Sequence, residues 1–134
     1  MVQAIAGAGI SPIVRVRGPT LPTIKRALDT GAHGTVVPMI NNAAQAQEAV
    51  SFAKFPPVGV RGQGGPFACY EFGFATPAEY VAAANELVVV IVQIETLEGL
   101  QNVDEICQVP GIGKSHSDTV SGTTRANGSK MLYS

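Results

Sequence analysis

The chain has no tryptophan and only 6% aromatic residues, so it offers no platform on which nucleobases would stack. It also has little charge: Asp, Glu, Lys and Arg make up 14% of its 134 residues, against a usual figure of about 25%. The balance is −1, which gives no electrostatic reason for binding nucleic acid or an anionic membrane surface. Cysteine is scarce as well. Cys69 and Cys107 lie 38 residues apart without CxxC spacing, and they read as two small hydrophobes in a reduced compartment. The first residues, "MVQAIAGAGISP", lack the basic start and apolar core of a secretory leader. The longest apolar run, "LVVVIVQI", is too short to cross a bilayer. These absences point to a cytoplasmic protein without membrane or nucleic-acid partners.

What is present is a regular alternation. "SPIVRV" (11–16) is β-branched and reads as a strand. In "TLPTIKRALDTGAHG" (20–34), Leu21, Ile24, Ala27 and Leu28 share one helical face, and Gly31 closes the helix. "TVVPMI" (35–40) is a second strand, and "NNAAQAQEAVSFAKF" (41–55) is a helix capped by Asn and stopped by Pro56-Pro57. Residues 56–76 form a long loop rich in glycine and aromatics, a kind that is usually functional inside a compact domain. A helix over 76–87, a third strand over 87–95 and a helix over 96–109 follow. Strands alternating with helices imply a parallel sheet with right-handed crossovers. Two α/β architectures fit: a doubly wound sheet, or about three β/α units of a partial (β/α)8 TIM barrel. After Ile112 the composition changes. Residues 113–134 hold few apolar side chains and many Ser, Thr and Gly, and read as a disordered tail. The expected division is therefore 1–112 and 113–134.

Parallel α/β folds bind ligands at the carboxyl ends of their strands. That rule selects Arg15 and Arg17 from the first strand, Met39 and Asn41 from the second, and Gln93 and Glu95 from the third. Along the third strand Val89, Ile91, Gln93 and Glu95 share a face that is apolar until its last two positions. A carboxylate there can bind a hard cation, and an arginine can hold an oxygen-rich anion. Plainer roles remain open: Glu95 as a charge before the following helix, Arg15 as half of a structural ion pair. The "RGQGG" loop (61–65) offers backbone N–H groups to an anion, though it does not join a strand to a helix as a P-loop does. His33, in a helix-to-strand turn, reads as structural.

Taken together, "PIVRV…IKRALDTGAHGTVVPMINNAAQAQEAV", "KFPPVGVRGQG" and "VIVQIETLEGLQNVDEI" resemble the HpcH/HpaI aldolase family, 2-oxo-acid aldolases related to 2,4-dihydroxyhept-2-ene-1,7-dioate aldolase. The resemblance covers about residues 1–112. It implies a (β/α)8 barrel and a class II carbon–carbon lyase. Such a lyase needs a divalent metal (Mg, Mn or Co) and cleaves 4-hydroxy-2-oxo acids to pyruvate, or a related 2-oxo acid, and an aldehyde. It implies a homo-oligomer, with Glu95 as metal ligand, Arg15 as the catalytic and substrate-binding arginine, and Gln93 beside the substrate carboxylate. Asp29 matches an acid that supports the catalytic histidine of a neighbouring unit in the assembly. The family's "GEH" histidine segment has no counterpart among these residues. The "GPxDL" segment with a second metal carboxylate is replaced by "GKSHSD". The chain thus reads as a truncated barrel whose tail has the look of out-of-frame or read-through sequence. The alternative is a catalytically inactive fragment that associates with full-length subunits or is unstable. Sequencing the transcript across codons 105–120 tests the origin of the tail: a frameshift or read-through junction is expected, and an in-frame message encoding it would contradict this.

Overall fold

A computed structural model describes the backbone of residues 1–117, 123–126 and 129–132, and side chains through residue 113. A short helix α1 (Val2–Gly7) leads into strand β1 (Ile13–Arg15), then helix α2 (Leu21–Asp29) and strand β2 (Gly34–Val37). Helix α3 (Ala43–Ala53) follows, then a loop containing the one-turn helix α4 (Phe67–Glu71), helix α5 (Pro77–Leu87) and strand β3 (Val89–Ile94). Helices α6 (Leu97–Gln101) and α7 (Val103–Cys107) precede strand β4 (Ile112–Ser117). β5 (Thr123–Ala126) and β6 (Ser129–Leu132) pair as a separate antiparallel ribbon.

β1 to β4 lie in chain order in one sheet, and each neighbouring pair is parallel. This is the wall of a β/α barrel rather than a doubly wound sheet, in which the strand order would reverse. Ile13, Gly34 and Val89 sit side by side at one level, and Arg15, Val36 and Ile91 at the next. The two faces of the sheet differ sharply. Val37, Val90, Val92 and Ile94 are buried against the helices together with Ile24, Leu28, Ala46, Ala49 and Ile106. On the other face Ile13 is 42% and Val89 38% exposed, and no helix among the described residues covers them. That uncovered face is the side a barrel closes on.

Local chemistry explains most boundaries. Asn42 accepts a hydrogen bond from Gln45 N–H and starts α3. Thr76 and Glu79 form a reciprocal capping box at α5, with Pro77 as its first residue. The helix expected over 96–109 is two short helices, broken at Asn102, whose side chain leaves the helical path to donate to Asn41 O at 2.9 Å. The loop expected over 56–76 contains α4, on which Ala68 and Cys69 are buried. At the other end of the chain, β4 runs five residues past the boundary at 112 suggested by composition. Its sequence, "GKSHS", carries no strand signal, and its backbone is held by the open edge of β3. The remaining tail residues expected to be disordered (118–122, 127–128, 133–134) lie outside the described residues. Among the described residues no helix is long and apolar enough to cross a membrane. Neither cysteine is in a disulfide; Cys69 is buried and Cys107 partly so.

A polar clasp holds the amino-terminal end of β3. Lys54 is buried and donates to Asn85 O at 2.6 Å and Val88 O at 2.7 Å, while Asn85 makes two bonds to the Phe55 backbone. Burial lowers the Lys54 pKa from the ordinary 10.5, Glu86 pulls it back up, and Arg61 adds to the lowering. A base that binds its proton less tightly when folded contributes stability that rises with pH between its lowered pKa and its free value. Urea denaturation should therefore show wild type gaining on Lys54→Met as the pH is raised from neutrality towards 10.5. A gap that narrows over that range would contradict this account of Lys54.

Candidate functional site

The carboxyl ends of β1, β2 and β3 open onto the uncovered face. β1 and β3 lie two strand spacings apart, about 10 Å, so only long side chains can meet across β2. Arg15 is such a side chain. Its Nε donates to Gln93 Oε1 at 2.7 Å, and its Nη2 lies 3.7 Å from Glu95 Oε1. Glu95 accepts from Met39 N–H at 2.9 Å through its other oxygen. Gln93 is 6% exposed although it lies on the open face. The strand alternation thus brings Arg15, Gln93 and Glu95 together, as expected.

Both plain alternatives are partly answered by this geometry. The acid paired with Arg15 is Glu95 itself. An ion pair at this distance, with the Arg15 side chain 57% exposed, contributes on the order of 0–1 kcal/mol. Such a pair does little for stability, so stability does not explain the arrangement. The Glu95 carboxylate turns to Met39 rather than to the start of α6, where Thr96 already accepts from Gly99 N–H. Asn41, the other candidate from β2, is structural: its side chain accepts from the Thr96 hydroxyl and its carbonyl from Asn102.

Asp29 is not part of this cluster. It ends α2, at the amino-terminal side of the sheet, where Lys25 donates to one oxygen at 2.5 Å and Arg61 to the other at 3.2 Å. Arg61 is 1% exposed. Its guanidinium lies over the Phe55 ring at 4.6 Å and also donates to Tyr80 Oη at 3.1 Å. Sequence reasoning missed this pairing, because nothing in a spacing of 32 residues signals it. The "RGQGG" loop closes over the same acid. A Cβ on Gly64 would sit 2.3 Å from Asp29 Oδ2, so the backbone needs glycine to come so close. A loop folded over a carboxylate is poorly suited to an anion, and the phosphate-loop reading is set aside. His33 stacks on Phe72 with centroids 4.4 Å apart, consistent with its structural reading.

Glu95 fits a cation of the Mg2+ type as one hard oxygen donor, since such ions use one or two carboxylates and complete their shell with water and substrate oxygens. The described residues contain no cluster of three or more His, Cys, Asp or Glu that would form a whole cage.

Fold and site define a class: a parallel β/α-barrel unit with a guanidinium, an amide and a carboxylate at its strand mouths. The chain belongs to the HpcH/HpaI aldolase/citrate lyase family, whose profile matches residues 1–114. It is 43% identical over 112 residues to 2-dehydro-3,6-dideoxy-6-sulfogluconate aldolase of Pseudomonas putida, covering 84% of this chain and 43% of the relative. It is 46% identical over 102 residues to 4-hydroxy-2-oxovalerate aldolase of Novosphingobium aromaticivorans, covering 76% and 38%. Among solved structures, an HpcH/HpaI aldolase/citrate lyase family protein from Burkholderia cenocepacia J2315 superposes with a TM-score of 0.77 at 34% identity, over 87% of this chain and 47% of that one. The chain thus spans about two fifths of the length of these curated relatives.

The two arginines should behave oppositely in denaturation. Arg61→Ala strips a buried ion pair and should cost about 3 kcal/mol, whereas Arg15→Ala should stay within about 1 kcal/mol of wild type. Equal losses would contradict the division drawn between them.

Proposed function

We propose that this chain is the Arg15–Glu95 portion of a class II aldolase that cleaves 4-hydroxy-2-oxo acids to pyruvate, or a related 2-oxo acid, and an aldehyde. The observation that carries the reading is the convergence of Arg15, Gln93 and Glu95 at the strand mouths, in a chain whose relatives are named aldolases. In the reaction the bond between C3 and C4 breaks, the C4 hydroxyl proton leaves, and the electron pair passes to the 2-oxo-acid fragment as charge on its keto oxygen. A planar 2-oxo acid presents two adjacent oxygens, which match the fork of the Arg15 guanidinium. Gln93 accepts from Arg15 Nε and so fixes the plane of the guanidinium, leaving the terminal nitrogens for substrate. The charge that builds on the keto oxygen is what Arg15 stabilises most in the transition state.

Glu95 would hold the divalent metal (Mg, Mn or Co), which when bound acts as a Lewis acid towards the keto oxygen. The family resemblance assigns the base to a histidine that is not among these residues. It assigns Asp29 to supporting that histidine in a neighbouring subunit, within the homo-oligomer implied for the full-length family. In that role Lys25 and Arg61 keep the Asp29 carboxylate in place from behind.

Pyruvate release from a 4-hydroxy-2-oxo acid tests the reading. Turnover with added Mg2+, Mn2+ or Co2+ should vanish with chelator and in Glu95→Ala, and should fall by about 10²–10³ in Arg15→Ala, whereas no turnover at all would favour the inactive-fragment alternative. Turnover that is insensitive to chelator, or to loss of Glu95, would contradict it.

A further inference from the structure

We propose that Met39 is the positioning residue of this site. Its backbone conformation aims its N–H at Glu95 and keeps that carboxylate from collapsing onto Arg15. Among the described residues Met39 is the one non-glycine with positive φ, at 60°. A residue with a side chain disfavours this left-handed region, and such outliers persist where the surroundings impose them, often at functional sites. The surroundings here are specific. Pro38 and Ile40 on either side are buried, while the Met39 side chain is 49% exposed. The flanking residues are anchored in the core, and Met39 takes up the kink between them.

The kink redirects two consecutive amides. Met39 N–H leaves the β2–β3 ladder and donates to Glu95 Oε2 at 2.9 Å. Ile40 N–H then returns to the Gln93 carbonyl at 3.1 Å. The two β3 residues gripped in this way are the two that meet Arg15. Glu95 has three rotatable bonds and a cation nearby, and nothing in its own side chain would stop it from closing on Arg15 at full contact. It instead stands 3.7 Å away, with Oε2 bound to Met39 N–H and Oε1 facing the Arg15 guanidinium. Arg15 is meanwhile tied to Gln93. The two opposite charges are therefore held close but separately, which leaves each with capacity for a ligand. Met39 acts here through its backbone, and the side chain is incidental to the role.

The part of this inference that concerns a cation rests on the reading of Glu95 as metal ligand, so two readouts are needed. The first uses the metal-free, 15N-labelled chain. The residue 39 amide proton should resonate downfield, as expected of a donor to a carboxylate, and should move upfield in Glu95→Ala. The second is Mn2+ affinity, followed by water-proton relaxation. Met39→Gly and Met39→Asn accept the left-handed conformation and should bind as wild type does. Met39→Val, β-branched, should bind about tenfold more weakly, the usual cost of losing the partner of a metal ligand. If Met39→Val does not fold, Met39→Ala carries the same prediction in smaller degree. A residue 39 amide that ignores Glu95→Ala overturns the proposal. So does a loss of affinity in Met39→Gly equal to that in Met39→Val, which would assign the role to the side chain. If wild type itself binds no Mn2+, the metal reading fails, and the amide signature alone upholds or overturns the positioning role.

Discussion

The bond from Arg15 to Gln93 spans a whole strand, and the site depends on it. β2 must lie between them with little bulk on the uncovered face, and it does. Gly34 sits where a Cβ would press on Val89 O at 2.6 Å, and Val36 is the one other β2 side chain between Ile13–Arg15 and Val89–Ile91 on that face. The face must also be free of helices, or Arg15 would have no room to cross. All the crossover helices accordingly pack on the opposite side, against Val90, Val92 and Ile94. A parallel sheet with one face helical and the other turned inward is the geometry of a barrel wall. Site and fold are thus two consequences of one arrangement.

The molecule separates its polar interactions by purpose. At the amino-terminal ends of the strands they are buried or partly buried. Lys54 caps carbonyls at the end of α5, Asn85 clamps Phe55, and Arg61 lies under aromatic rings while it holds Asp29. These groups tie the long 56–66 loop to the helices. At the carboxyl ends the polar groups are more exposed and less fully paired. Arg15 is the clearest case: its Nε donates to Gln93, its Nη2 lies 3.7 Å from Glu95 Oε1, and its side chain is still 57% exposed. A structural end and a candidate ligand-binding end are the division expected of β/α barrels.

How much of this the sequence made legible differs from element to element. β3 was readable because a β-branched run that ends in Gln93 and Glu95 has one continuous apolar face and one that turns polar. The same alternation, with the rule that ligands bind at strand exits, put Arg15 with them. α2 was readable from its apolar spacing. β4 was not, since "GKSHS" contains nothing that prefers a strand and its pairing comes from the edge of β3. The break at Asn102 was hidden because a side-chain bond to Asn41, far away in sequence, produces it. The partners of Asp29 were invisible for the same reason. Met39 appeared in the sequence only as a residue at a strand exit. Its contribution lies in a φ angle, which side-chain identity does not encode.

The central claim is that Glu95 offers a carboxylate oxygen to a cation at the strand mouth beside Arg15. Anomalous diffraction from crystals grown with Mn2+ and oxalate, a planar mimic of a 2-oxo acid, tests it most directly. The account predicts a manganese peak roughly 2.1 Å from Glu95 Oε1, with oxalate against the Arg15 guanidinium. A peak elsewhere, or a Glu95 carboxylate turned into the helical layer away from Arg15, would contradict it.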